Sequence, residues 1–262
     1  MAKRHETLAI NMENLAIGYG GRELFRPFNL VIPKGTFNVI VGENGSGKST
    51  LLHTICGNLK PIQGNVAING CDIKDLSPRE LAQKLSLVYT DRVNAGGLTV
   101  RELIEMGRQP YTGFLGRLNK SDKKIVEEAI LEVGIEHKQD CFLSDVSDGE
   151  RQKAMIARAL AQKTPILMLD EPTNFLDAAS RLEILSLVAR LVESQKITAL
   201  ISTHDISAAL ALSDNVITII PSDENSISID ESDSARAYER LSKVFISRGV
   251  TFDRASRNYI LS

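Results

Sequence analysis

Residues 42–50 read Gly-Glu-Asn-Gly-Ser-Gly-Lys-Ser-Thr, set between an apolar run at 37–41 and a helix-forming stretch at 49–59. This is the pattern G-x-x-x-x-G-K-[ST] in a strand–turn–helix setting, which constrains the fold more than any other feature of the chain. Its glycines Gly42, Gly45 and Gly47 allow the backbone to curl round a phosphate chain with its N–H groups pointing inward. Asn44 and Ser46 lie within the curl. Lys48 brings a positive charge to the outer phosphates, Ser49 offers a hydroxyl to Mg²⁺, and Thr50 continues the helix whose positive dipole end faces the same anion. The pattern by itself predicts nucleoside triphosphate binding and no particular reaction.

With 262 residues the chain is long enough to bury a substantial core. Its net charge of −2 gives no global field for nucleic acid, which is not expected as a partner. No apolar run reaches the roughly 18 residues of a membrane span, and the polar start lacks a signal-peptide core, so a cytoplasmic location is expected. Cys56, Cys71 and Cys141 lack metal-ligand spacing and fit a reducing compartment.

Residues 8–32 alternate apolar and polar around Gly18-Tyr19-Gly20-Gly21, as antiparallel strands with a turn do. Residues 66–73 read as a hairpin turning on Asn69-Gly70, and 85–89 as a strand. From 99 to 163 the periodicity becomes helical, with Val100, Leu103 and Ile104 and then Ile125, Val126, Ala129, Ile130 and Val133 at helical spacing. Strands return at 166–169, 198–201 and 216–220, with helices at 178–193 and 206–212. That alternation predicts an α/β fold with a mostly parallel sheet, an antiparallel N-terminal part and an inserted helical part. Residues 222–234 are polar and acidic and read as a solvated loop, with a regulatory segment as the alternative, followed by a helix at 235–247 and a short strand at 258–261.

Asp170 and Glu171 end a buried strand, and parallel sheets bind ligands at the carboxyl ends of their strands. Asp170 is therefore expected to hold Mg²⁺, and Glu171 to polarise the water that attacks the γ-phosphate. Ser147-Asp148-Gly149-Glu150 satisfies a capping box at the start of another helix. The same helix end, with its serine and glycine, reads equally as a second anion site. One chain has no need of two such sites for one triphosphate, but two copies arranged head to tail would use both.

Taken together, these residues resemble the ABC-type ATPases over nearly the whole chain. The resemblance implies a single ABC cassette over 1–262, with 1–90 and 164–262 as ATP-binding core plus antiparallel β subdomain and 91–163 as helical subdomain. It also implies that the P-loop of one copy and a signature motif of the other sandwich each ATP. Val146-Ser147-Asp148-Gly149-Glu150 stands where the family has L-S-G-G-Q, keeping Ser147 and Gly149. By the same resemblance Tyr19 stacks on adenine, Asp177 in Asn174-Phe175-Leu176-Asp177 contacts the partner copy, and His204 touches the γ-phosphate. Most members place a glutamine after the strand at 85–89 that contacts Mg²⁺; here the residues are Thr90 and Asp91, and either could supply the oxygen.

Gly107-Arg108-Gln109-Pro110-Tyr111 is similar to a stretch in importers of iron-siderophore complexes, haem and cobalamin. Tyr111, Phe114 and Leu115 would offer an apolar surface to a permease, or close the insert's own small core. The resemblance thus implies an ATP-hydrolysing, Mg²⁺-dependent subunit, monomeric or weakly dimeric alone. It would dimerise on ATP and sit on the inner face of the membrane through a polytopic permease served by a substrate-binding protein. The other readings are a soluble single-cassette ATPase of an assembly complex, such as iron-sulfur cluster biogenesis, and a small-molecule P-loop kinase.

Overall fold

The computed structural model describes residues 8–19, 22–24, 26–89, 97–113, 116–220, 227–246 and 249–261. An antiparallel sheet opens the chain. Its strands are β1 (Leu8–Ala16), β4 (Phe28–Pro33), β6 (Gln63–Ile68) and β7 (Cys71–Asp72), in the order β4-β1-β6-β7. β2 (Gly18–Tyr19) and β3 (Arg22–Glu23) form a small ladder beside it. Asn69 and Gly70 turn β6 into β7 with φ of 49° and 81°, both positive as a type I′ turn requires.

The second sheet contains β5 (Phe37–Gly42), β8 (Leu85–Val88), β9 (Ile166–Asp170), β10 (Thr198–Ser202), β11 (Asn215–Ile219) and β12 (Ile227–Glu231), ordered β12-β11-β5-β10-β9-β8. All neighbours run parallel except β11 with β12. The loop expected at 222–234 is therefore corrected. Ile227 and Ile229 alternate with polar residues and face Ile219 and Ile217 across an antiparallel ladder, which is half-buried strand patterning despite the acidic composition. Residues 221–226 lie outside the described part.

β5, β9 and β10 are buried at every position and lie at the centre of the sheet. Phe37, Val39 and Val41 point into one core with Leu167, Leu169, Ala199 and Ile201. Ile40 points to the other face, where Met168, Leu200 and Ile217 meet Leu51, Leu52 and Ile55 of α1 (Lys48–Ile55) and Ile10, Met12 and Ile68 of the antiparallel sheet. Each fully buried aliphatic side chain here contributes roughly 1.5–3 kcal/mol, which holds α1 against this face of the sheet. α1 is shorter than the expected 49–59. Buried Asn38 staples the sheet: its amide nitrogen donates to Ala199 O at 3.0 Å and its oxygen accepts from Asn215 at 3.0 Å.

After α2 (Pro78–Ala82) and β8, the helices α3 (Val100–Glu105), α4 (Lys120–Val133) and α5 (Asp148–Ala161) follow one another before β9. A short 3₁₀ segment, Met106–Tyr111, packs on α5 at Gly107, where an added Cβ would lie 2.2 Å from Arg158 O. Only glycine lets the two backbones approach so closely. Arg108 is buried there, donating to Asp122 Oδ1 at 2.9 Å and to Ala161 O at 2.7 Å, with its guanidinium 4.0 Å from the centre of the Tyr111 ring. Tyr111 thus belongs partly to the insert's own packing; Phe114 and Leu115 lie outside the described residues.

β9 leads to α6 (Ala178–Gln195), β10 to α7 (Ile206–Leu212), and β12 to α8 (Ala235–Val244), shorter than the expected 235–247. The chain ends in a hairpin of β13 (Val250–Asp253) and β14 (Asn258–Leu261), of which only the second strand is legible in the sequence. Among the described residues no helix is long and apolar enough to cross a membrane.

Candidate active site

At the carboxyl end of β5 the chain turns through residues 43–47 into α1. Gly47 is the N-cap of α1 with φ 98°, a left-handed conformation suited to glycine, and no side chain caps the helix. The other described helices of eight residues or more differ. Asn119, Ser147, Asp177 and Ser234 each accept a backbone N–H at the start of α4, α5, α6 and α8. The first N–H groups of α1, and the positive end of its dipole, are thus left available to an external anion.

Lys48 is buried and donates through Nζ to Gly42 O and Glu43 O, each at 3.0 Å. Burial pushes the Lys48 ammonium below the usual lysine range, and the carboxylates of Glu171 and Asp170 oppose that shift. Asp170 at the end of β9 and Glu171 just after it thus both act on this cation. The Ser46 hydroxyl is buried without a hydrogen-bond partner in the structure. An orphaned buried hydroxyl is costly unless a ligand oxygen meets it, so the turn fits a phosphate chain.

β10 separates β5 from β9, and its end organises the second half of the site. Asp170 and Ser202 are register partners. Ser202 Oγ donates to Asp170 Oδ1 at 2.6 Å and accepts from Glu171 N at 2.9 Å; the same amide lies 3.0 Å from Ser202 O. Glu171 adopts φ 50°, unusual for a residue with a side chain. This backbone places Glu171 Oε1 2.8 Å from His204 Nε2, while Asn174 Nδ2 donates to Oε2. The carboxylate is acceptor-only, so His204 must carry its proton on Nε2 when it makes this bond. Below the pair, the Thr173 and Thr203 hydroxyls meet at 3.1 Å and tie the two loops together.

Asn44, Gly45, Gly47, Lys48, Ser49, Thr50, Glu171 and His204 line one cleft of about 310 Å³. The structure thus brings the glycine-rich turn, the strand-end acid and the histidine to one place. Ser49 is exposed in the cleft, while Asp170 is buried beside Ser202 and does not line it.

A model of the ABC transporter family matches residues 25–174. The chain belongs to the ABC transporter family. It is accordingly an ATPase. An uncharacterised ABC transporter ATP-binding protein of Methanocaldococcus jannaschii is 44% identical over 210 residues, covering 80% of this chain and 72% of the relative. The iron(3+)-hydroxamate import ATP-binding protein of Bacillus subtilis is 38% identical over 211 residues, 80% of this chain and 78% of its own. The ferric enterobactin transport ATP-binding protein of Escherichia coli is 35% identical over 207 residues, 79% of this chain and 76% of its own. Among solved structures, an inward-facing transporter described as metal-chelate type superposes with a TM-score of 0.79 at 26% identity, covering 91% of this chain and 89% of that one. A dimeric ATP-binding cassette in a post-hydrolysis state with ADP and Pi superposes with a TM-score of 0.72 at 27% identity, covering 85% of this chain and 98% of that one.

In this ABC ATPase the residues expected to form a signature motif, Ser147 and Gly149, do not line the cleft. Ser147 caps α5: its hydroxyl accepts from Glu150 N at 3.2 Å and donates to Glu150 Oε2 at 3.0 Å. Asp177 caps α6 through Ser180 N at 2.9 Å. A Cβ at Gly149 would meet Ser180 Oγ at 3.3 Å, so the starts of α5 and α6 share one edge. The backbone of Tyr19 pairs with Arg22 in β2 and β3; its side chain, like Thr90 and Asp91, lies outside the described part. Ser202 and the Asn174 contact with Glu171 escaped the sequence reading, although Ser202 closes a buried strand and Thr203-His204-Asp205 directly follows it. Among the described residues no group of three or more His, Cys, Asp or Glu side chains could hold a metal.

Proposed function

We propose that this ABC ATPase is the nucleotide-binding subunit of an importer for iron-siderophore complexes, and that it works as a head-to-tail pair with a second copy of itself. The observation that carries the reading is the cleft in which the uncapped start of α1 and Lys48 face Glu171 held at 2.8 Å from His204. The siderophore-import names of the relatives supply the cargo class; haem and cobalamin complete the group named by the sequence resemblance.

Each residue has a role in this scheme. Gly42, Asn44, Gly45, Ser46, Gly47, Lys48, Ser49 and Thr50 wrap the phosphates, and Tyr19 stacks on the adenine. Glu171 accepts the proton of the attacking water while His204 fixes the orientation of that carboxylate and adds hydrogen-bonding capacity at the γ-phosphate. The helical part at 91–163 carries Ser147 and Gly149 to the partner's ATP, and Asp177 lies at the seam between copies. Ser49 and Asp170 are oxygen donors suited to Mg²⁺, with Thr90 as a third. Such a sparse protein donor set matches a metal held mainly by nucleotide phosphates and water. When bound, Mg²⁺ neutralises charge on the phosphates.

Closing two copies over ATP, and reopening after hydrolysis, would shift a permease between conformations by linkage. The protein then sits on the inner face of the membrane through that permease, supplied by a substrate-binding protein. The test is pull-down from detergent-solubilised membranes, followed by assay of which ligand stimulates ATPase activity in the recovered complex. Co-purification of a polytopic membrane protein, with stimulation by a ferric siderophore delivered by its binding protein, is the expected result. Recovery of soluble assembly partners alone would overturn the importer reading in favour of an assembly ATPase.

A further inference from the structure

The signature segment of this chain carries two acids, Asp148 and Glu150, at the end of α5 that is meant to meet a polyanion. Both are matched by cations fixed from outside the motif. Asp148 Oδ1 lies 3.0 Å from Arg151 Nη1, and the same guanidinium is anchored on Leu143 O at 3.1 Å. Glu150 Oε1 lies 3.4 Å from Lys138 Nζ and 3.7 Å from His137 Nε2, both in the short 3₁₀ turn Glu136–Lys138. The other oxygen of Glu150 accepts from Ser147 N at 2.9 Å and takes the Ser147 hydroxyl proton at 3.0 Å. The Ser147 amide, then the Ser147 hydroxyl and Lys138, hold the Glu150 carboxyl below the usual carboxylate range, so it is ionised at neutral pH.

These contacts set up a competition. The Ser147 hydroxyl has one proton, and within one copy it is given to Glu150. A γ-phosphate arriving from the partner copy needs the same proton. An anionic acceptor at 3.0 Å holds it more strongly than a neutral amide oxygen would, and the same charge repels the phosphate. The cation at Lys138 weakens both effects.

We propose that Lys138 is a positioning residue for the composite ATP site: by neutralising Glu150 it lets Ser147 turn its hydroxyl proton from the capping box to the γ-phosphate of the partner's ATP. The proposal rests on the head-to-tail reading above. Lys138 touches neither nucleotide nor water in this scheme and acts only through Glu150. Arg151 only offsets the charge of Asp148, which takes no proton from Ser147.

The experiment measures ATP-dependent dimerisation in a Glu171→Gln parent, alongside ATP binding by the monomer with a fluorescent ATP analogue. Lys138→Gln is expected to weaken the ATP-bound dimer about tenfold, since two motifs per dimer each lose an interaction worth about threefold at a partly exposed pair. Lys138→Arg retains the dimer, and fluorescent-analogue affinity of the monomer stays as in the parent. Adding Glu150→Gln should abolish the effect of Lys138→Gln, because a neutral amide needs no counter-charge. An unchanged dimer in Lys138→Gln, or the same loss with and without Glu150→Gln, overturns the proposal while leaving the head-to-tail reading intact. A Glu171→Gln parent that never dimerises with ATP overturns both.

Discussion

Glu171→Gln separates chemistry from folding at this site, because the structure says what the amide can and cannot replace. Glu171 has two neighbours with fixed demands: Asn174 Nδ2 is a donor and takes one oxygen, while His204 Nε2 takes the other at 2.8 Å. In the variant the amide oxygen must stay with Asn174, which leaves its NH₂ facing His204. The imidazole can move its proton to Nδ1 and accept, so the bond reverses rather than breaks. His204 is 42% exposed, and a pair of that kind is worth no more than about 1 kcal/mol. For a chain of this size that corresponds to a fall in Tm of about 2–4 °C. The catalytic loss is of another order, since an amide cannot take a proton from water. Removing a general base costs about 10²–10⁴-fold in kcat, equivalent to about 3–5 kcal/mol of barrier. Steady-state phosphate release, with Tm and ATP affinity measured on the same preparation, should show kcat down at least about a hundredfold with little change in the other two. Turnover within about threefold of the wild type would refute the role of Glu171. A Tm loss well beyond that of a surface pair would mean that the residue is structural.

Further substitutions test the frame that holds the site. Ser202→Ala removes the hydroxyl between Asp170 and Glu171 N, so denaturant unfolding should show a loss of about 1.5–3 kcal/mol together with reduced kcat; an unchanged unfolding midpoint would contradict the bridge. Asn38→Ala removes the side-chain bonds to Ala199 O and from the Asn215 amide, and equilibrium unfolding should report about 1–3 kcal/mol of destabilisation with an unchanged m-value. Gly107→Ala forces a methyl group against Arg158 O, and should cost about 1–3 kcal/mol in the same assay; wild-type stability would show that the contact relaxes freely.

The parts of the fold that were legible in the sequence are those with long, unambiguous apolar patterns. β5, β9 and β10 are continuous hydrophobic runs buried on both faces, and α5 shows Met155, Ile156, Ala159 and Leu160 on a buried face. β12 was hidden because Ser228, Asp230 and Glu231 dominate its composition, and its strand character rests on the alternation of Ile227 and Ile229 alone. β13 has four residues and one fully buried side chain, too little for a period to emerge. At the site, the glycine pattern and the acid pair announce themselves because few other structures need those residues in that order. Ser202 and Asn38 do not, since a serine or asparagine in a strand carries no spacing signal. Their importance appears only when β10 is seen to lie between β5 and β9.

Four departures from local rules meet at the cleft. Glu171 holds φ 50°, α1 begins without a side-chain cap, the Ser46 hydroxyl is buried without a partner, and the Lys48 ammonium is buried against loop carbonyls. Each costs stability on its own, and all four lie around one cleft rather than being scattered through the chain. Elsewhere Ser77, Thr99, Asn119 and Ser147 form complete capping boxes, and the central strands bury every side chain. A fold that satisfies its backbone so consistently has no structural reason to leave α1 open. The rigid sheet can bear the cost because Leu51, Leu52 and Ile55 fasten α1 to it on the far side from the cleft. By the same logic Ser147 is the informative exception. It obeys the capping rule and, in the proposed head-to-tail pair, also faces a second copy's phosphate, so its hydroxyl can serve only one acceptor at a time. The balance between those two acceptors, set by Glu150 and Lys138, is where this chain's departure from the family motif should alter how readily the dimer closes.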